Sequence, residues 1–192
     1  MPADQNTVLQ GETPLFRPAG AADAGQVAQL HADSWRRFYR GAYADAYLDG
    51  DVMADRRAVW TTRLASPTNS ETVLAEHDHR LVGFIHVVFD ADPQWGSLVD
   101  NLHVRHDQRR AGLGTQLLTR AAEAVVDRAS GKAMYLWVLQ QNTAAQHFYV
   151  ARGGTCVETL PAPPGDNPWR LNGPPTLRMA WPNASRLLEE SP

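Results

Sequence analysis

The chain has 192 residues, a formal net charge of −3 and 43% hydrophobic residues, enough length and apolar content for one buried core without disulfides or a structural metal. That charge gives no basic field for nucleic acid, no apolar run approaches the roughly 20 residues of a membrane helix, and the start Met1-Pro2-Ala3-Asp4 lacks the pattern of an export signal. The single cysteine, Cys156, rules out an internal disulfide and gives no reason to expect an oxidising compartment, so a cytoplasmic protein is expected, with no membrane or nucleic-acid partner.

Residues 1–13 are polar and patternless and read as a tail. Leu15-Phe16-Arg17 predicts a short strand, and Asp23 can cap a helix with Val27, Leu30, Ser34/Trp35 and Phe38 on one face. Gly41 ends it. A second helical region follows, with Val52, Val59, Trp60 and Leu64 buried and Pro67 as its stop. Strands are then expected over 72–76, 81–89 and 97–104, with turns at His77-Asp78-His79-Arg80 and from Ala91 to Gly96, which is the pattern of an antiparallel meander.

Leu113, Leu117, Ala121 and Val125 recur every four residues and predict a helix from about 114 to 130, stopped by Gly131. A strand over 133–139 leads to Asn142, a cap for a helix ending at Gly153. Strands over 155–159 and 176–181 close the pattern, joined by a Pro/Gly-rich loop over 160–175, and 183–192 reads as a second tail. The whole is one α+β domain over 14–182. Because a helix joins the strand before Gly112 to the strand after Gly131, those two should be parallel neighbours.

Arg109-Arg110-Ala111-Gly112-Leu113-Gly114 lies between a strand and a helix, where glycines let backbone N–H groups and the positive helix end approach a di-anion such as a pyrophosphate. Gly114-Thr115-Gln116 lacks the lysine of a nucleotide-triphosphate loop, and no dinucleotide fingerprint follows the first strand. The hexapeptide resembles the Arg/Gln-x-x-Gly-x-Gly/Ala signature of the GNAT superfamily of N-acetyltransferases. The similarity extends to Phe16-Arg17-Pro18-Ala19, to His31-Ala32-Asp33-Ser34-Trp35-Arg36, to Leu81-Val82-Gly83-Phe84-Ile85, and to a second signature in Asn142, Ala145, Phe148, Tyr149 and Gly153. His106 departs from the proline that many members carry there.

This resemblance implies a mixed, mostly antiparallel sheet of about seven strands flanked by helices, with strands 4 and 5 parallel and splayed. It implies acetyl-CoA as co-substrate. Backbone groups of Leu102-His103-Val104 would pair with the pantetheine arm, the loop from Arg109 through Arg110, Ala111, Gly112, Leu113 and Gly114 to Thr115 would hold the pyrophosphate, and Asn142 and Tyr149 would lie beside the thioester. Trp35 and Tyr39 would border the acceptor cleft.

Attack of an amine on a thioester needs a proton acceptor, support for the oxyanion and a proton for the leaving thiolate. Tyr149, with a phenol pKa ordinarily near about 10, suits the last task. Asp100 alternates with Leu102 and Val104 along one strand, so all three side chains are expected on one face, the face that the resemblance directs towards the substrate; Asp100 is the first candidate base, with His86, Glu76 or a water chain as alternatives. Asp45, Asp49 and Asp51 could draw in a cationic amine. His77-Asp78-His79 lacks a convergent third ligand, so no metal is expected, and Cys156, with no activating partner nearby in the sequence, reads as a buried strand thiol. The expected activity is direct acetyl transfer to a primary amine of a small molecule or protein, against a rival class of acyl-CoA sensor without turnover. A homodimer is compatible with either.

Overall fold

The short apolar runs become seven strands. In the computed structural model, which describes residues 13–108, 112–161, 171 and 173–189, they are β1 (Leu15–Pro18), β2 (Ser70–His77), β3 (Arg80–Asp92), β4 (Gly96–Val104), β5 (Met134–Leu139), β6 (Thr155–Leu160) and β7 (Thr176–Trp181). They form one sheet in the order β1-β2-β3-β4-β5-β7-β6. Every neighbouring pair is antiparallel except β4 and β5. That exception is the pair joined by a helix, as the connection rule requires.

The helices are α1 (Ala24–Phe38), α2 (Asp45–Asp49), α3 (Val52–Ala65), α4 (Leu113–Arg128), α5 (Thr143–Ala151) and α6 (Arg186–Glu189). On one face α1 and α3 bury Val27, Leu30, Trp60 and Leu64 against Leu74 and Phe84. On the other, α4 lays Leu113, Leu117, Ala121 and Val125 on Ile85, Val87, Val99 and Leu136. Phe84 and Ile85 are thus on opposite faces, as strand alternation dictates. Each fully buried Leu or Val adds about 1.5–3 kcal/mol relative to exposure, so these two layers fix the sheet between them. No helix among the described residues is long and apolar enough to cross a membrane.

Four local expectations change. Cys156, expected as a buried strand thiol, is exposed on β6, most of whose residues face solvent. The single helical region after Gly41 is two helices separated at Gly50 and Asp51, and Val59 is only half-buried. Residues 183–189 are not a tail: Ala184 and Leu187 are buried in the α4 core, with the Ala184 N–H donating to the Lys132 carbonyl at 2.8 Å. Asp23 occupies the N-cap position without bonding the α1 backbone. Its carboxylate instead accepts two bonds from Arg17 at 2.8 Å, one from the Gly20 N–H at 2.8 Å and one from Gln26 at 2.7 Å, while Arg17 also reaches Glu76 at 2.6 Å.

That network has a pH signature. Chiefly through Arg17, the Asp23 carboxyl is held down from 3.8 to about 2. A depressed folded value adds stability that is present above the unfolded value and lost as pH falls towards 2, to the extent of about 2 kcal/mol. Unfolding free energies of the wild type and Asp23→Asn from urea titration should therefore differ by about that amount at pH 6 and converge near pH 2. A gap that does not change with pH would mean that the loss is one of shape, not of charge.

The feature that positions the site is in β4. It pairs with β5 only at Ser97–Met134 and Leu98–Tyr135 among the described residues, and the strands then separate. On its other edge, His86 of β3 pairs with Asn101 and Val87 with Val99, leaving Asp100 as an extra residue. This is a β-bulge, and it turns consecutive side chains towards the same side of the sheet. Val99, Leu102 and Val104 accordingly contact the α4 side, whereas Asp100 and Asn101 are turned to the α3 side, bonded to each other at 2.7 Å.

Candidate active site

Separation of the two strands opens a cleft of about 460 Å³. Its walls are residues 99–104 of β4 and 136–139 of β5, with Ser34, Phe38 and Tyr39 from the end of α1 and Asn142, Ala145, Phe148 and Tyr149 from α5 and its cap. Along its upper half, the β4 edge towards β5 has no strand to pair with among the described residues. Unpaired N–H and C=O groups of this kind can hold an extended amide-bearing ligand as an added strand.

At one end of the cleft stand Gln108, Gly112, Gly114 and Thr115. Gly112 is the N-cap of α4 with φ +77°, a left-handed conformation that L side chains resist. Its carbonyl accepts from the Gln116 N–H at 3.1 Å, which starts the helix. Gly114 lies so close to α5 that a Cβ there would stand 3.4 Å from Phe148 Cζ. No acidic residue occupies the first turn of this 16-residue helix, so its positive end faces the cleft unopposed. Leu113 is buried in the core and could offer this end only its backbone. Arg109, Arg110 and Ala111 lie outside the described residues.

Asn142 and Tyr149 both reach the cleft. The Asn142 side chain accepts from the Ala145 N–H at 3.3 Å and so caps α5 as expected. Tyr149 is 8% exposed, set edge-on to Trp181 with centroids 6.0 Å apart. Burial, and secondarily Tyr39, pushes its phenol above the ordinary 10. The hydroxyl makes no hydrogen bond within the described residues, so a protonated donor is aimed at the cleft with its bond unspent.

The other candidates separate. Asp100 lines the cleft, but the bulge denies it the shared face with Leu102 and Val104, and its carboxylate accepts from Arg63 at 2.6 Å. His86 does not line the cleft: it is 3% exposed, edge-on to Trp60 and 2.8 Å from Thr72 Oγ1. Burial, and then Arg63, pulls its pKa below the ordinary value, so it is neutral and out of a substrate's reach. Glu76 is held by Arg17 outside the cleft. Trp35 is buried between Tyr39, stacked at 4.9 Å, and the Arg56 guanidinium, 4.4 Å from its ring; Tyr39 alone of that expected pair lines the cleft. Arg40 pairs with both Asp45 at 2.7 Å and Asp49 at 2.5 Å, so its single positive charge offsets one of those two negative charges and the attraction expected for a cationic amine is reduced, not removed.

Residues 27–153, two-thirds of the chain, match the model of the Acetyltransferase (GNAT) family. The chain belongs to the GNAT family of acetyltransferases. Solved GNAT structures share its fold. PaiA N-acetyltransferase from Thermoplasma acidophilum, solved with coenzyme A, is 18% identical with a TM-score of 0.69, covering 88% of this chain and 98% of its own. YncA from Salmonella typhimurium, a putative acetyltransferase solved with acetyl-CoA, is 18% identical with a TM-score of 0.63, over 88% and 94%. A mutant of spermidine N-acetyltransferase SpeG from Vibrio cholerae is 14% identical with a TM-score of 0.64, over 93% and 98%. GNAT enzymes use acetyl-CoA, and the open β4 edge leading from the α4 terminus suits a pantetheine pyrophosphate, which requires extended amide pairing at one end and a di-anion cradle at the other.

Among the cleft residues of this GNAT domain to which the sequence assigns no site role are Ser34, Phe38 and Gln108. Ser34 and Phe38 are four apart on one face of α1, a spacing that marks them as neighbours. That spacing reads equally as core in the sequence. Which strand lies opposite decides the matter, and β4 is far away in the chain.

Proposed function

We propose that this protein transfers the acetyl group of acetyl-CoA directly to a primary amine. The observation that carries this reading is the arrangement within one cleft of a helix N-terminus, an unpaired strand edge and a buried phenol. The α4 terminus at Gly112 and Gly114 would bind the pyrophosphate. The β4 backbone at Leu102 and Val104 would align the pantetheine amides, since the register that bonds the Arg105 N–H to Val82 turns the His103 backbone to β3, and a β4 N–H at the open edge would polarise the thioester carbonyl. Tyr149, kept neutral by burial, would protonate the departing sulfur. Asp100 would hold Arg63 and the acceptor side of the bulge in place, and Tyr39 would wall the acceptor. The N-acetyltransferase activity of PaiA and SpeG named above supports an amine as acceptor.

Acetyl-CoA at 100 times its Kd should stabilise the fold by about 2.7 kcal/mol, because it binds only the folded state. Thiol release from acetyl-CoA should then depend on one or more members of an amine panel comprising spermidine, free lysine, benzylamine and a peptide with a free N-terminus. A raised melting temperature with no amine-dependent thiol release would identify an acyl-CoA sensor instead.

A further inference from the structure

Behind β4, on the side away from α4, two histidines and a tryptophan run in a line to the cleft. Trp60 Nε1 donates to His31 Nδ1 at 2.9 Å. Indole nitrogen is only a donor, so His31 Nδ1 is an acceptor and its ring proton sits on Nε2. His31 is buried and its pKa is well below the ordinary value, through burial first and then His103, Arg56 and Arg63. It therefore remains neutral. Its ring lies against His103 with centroids 4.6 Å apart at 33°, and Phe84 flanks His103 at 5.2 Å. Thus packed, His103 places Nδ1 2.8 Å from Ser34 Oγ. Both residues line the cleft. Ser34 also lines a second cleft of about 580 Å³ between α1 and the end of β4, so its hydroxyl lies at the boundary between the two spaces.

We propose that Ser34 and His103 form the relay that accepts the proton of the acceptor amine, a role for which the sequence singles out Asp100. This rests on the amine-acetyltransfer reading above. Asp100 is spent on Arg63 and Asn101, whereas the Ser34–His103 pair is the imidazole of the cleft wall with a hydroxyl in front of it. In the step, the amine nitrogen bonds to the thioester carbonyl carbon and the C–S bond breaks. The nitrogen's proton passes to Ser34 Oγ as the Ser34 proton moves to His103 Nδ1. Tyr149 supplies the proton that the sulfur gains and is restored through solvent by the proton that His103 gives up, so the net change is one proton from nitrogen to sulfur. The charged and titratable groups around the pair are His31 on α1 with Arg56 and Arg63 on α3, Asp100, Tyr39 and Tyr149 in the cleft, and, in the second cleft beside Ser34, Asp33 and Arg37 on α1, His79 and Arg80 at the turn into β3, and Arg105, His106 and Asp107 after β4.

The test uses the full chain and whichever panel amine turns over, under conditions where chemistry limits the rate. His103→Gln should lower kcat by about 10²-fold to 10⁴-fold, the usual contribution of a positioned base, and abolish the acid limb of the kcat–pH profile. The melting shift with acetyl-CoA should be retained, which separates lost chemistry from lost folding or coenzyme binding. Ser34→Ala should lower kcat less and keep the acid limb, since imidazole can then act through water. In the wild type, the ring-nitrogen titration of His103 followed by NMR should coincide with that limb, a reading that survives even if His103→Gln fails to fold. An acid limb unmoved in His103→Gln, or a His103 titration that does not coincide with it, overturns the relay while leaving amine acetylation intact. Acetyl-CoA binding without amine-dependent thiol release overturns both.

Discussion

Gly114→Glu is expected to fold and to lose the melting shift that acetyl-CoA produces in the wild type. A carboxylate on the first turn of α4 would stand where the pyrophosphate is proposed to bind, and it would oppose the positive helix end. Two unit charges about 4 Å apart repel by about 4 kcal/mol near a protein surface, or roughly 10³-fold in Kd for a single phosphate charge. Gly114 is a better probe than Gly112. At Gly112 the backbone has φ +77°, so any side chain there strains the helix start, and a lost shift would mix misfolding with repulsion. At Gly114 the one close neighbour is the Phe148 ring, 3.4 Å from a built Cβ, and a ring edge can give by a few tenths of an ångström. Gly114→Ala supplies the control: it adds the steric contact without the charge and should retain most of the shift. If Gly114→Glu still binds acetyl-CoA as the wild type does, the pyrophosphate lies elsewhere and the proposed orientation of the coenzyme is lost with it.

What could be read in the sequence was local. Leu113, Leu117, Ala121 and Val125 identify α4 because four-residue spacing is a property of the helix alone, and all four are buried. Asn142 identifies the α5 cap for the same reason: acceptor and donor are three residues apart. Asp100 could not be placed this way. Its assignment assumed strict alternation, and a bulge is set by the partner strand, here by the pairings of His86 and Val87. Trp35 and Tyr39 show the same limit. Both lie at the aromatic end of α1, but the Arg56 guanidinium from α3 covers one and the cleft leaves the other open. The Ser34–His103 bond spans 69 residues and the Trp60–His31 bond 29, so neither has a local pattern to reveal it. α6 is four residues long, too short for a period to show, and only contact with the α4 core distinguishes Ala184 and Leu187 from a tail.

Tyr149→Phe tests the chemistry most directly, since it keeps the ring and removes one oxygen. Fold stability should hardly change. The ring packs on Phe148 and Trp181, and the hydroxyl has no partner among the described residues that its loss would leave unsatisfied. Coenzyme affinity should likewise stay near the wild-type value, because the proposed contacts with the coenzyme are made by β4 and α4. Turnover, in contrast, should fall by about 10²-fold to 10⁴-fold if the phenol protonates the leaving sulfur. The raised pKa of Tyr149 fixes the sign of the pH dependence: the phenol remains protonated past its ordinary value near 10, so its ionisation should cause no alkaline loss of wild-type activity below about pH 10. The donor sets the size of the defect. With an acyl donor whose thiol is more acidic, the sulfur leaves with less help, and the ratio of wild-type to Tyr149→Phe turnover should shrink. A ratio that is equally large for every donor would make Tyr149 a residue that positions the thioester, and an unchanged turnover in a chemistry-limited assay would remove it from the mechanism, leaving water to protonate the sulfur.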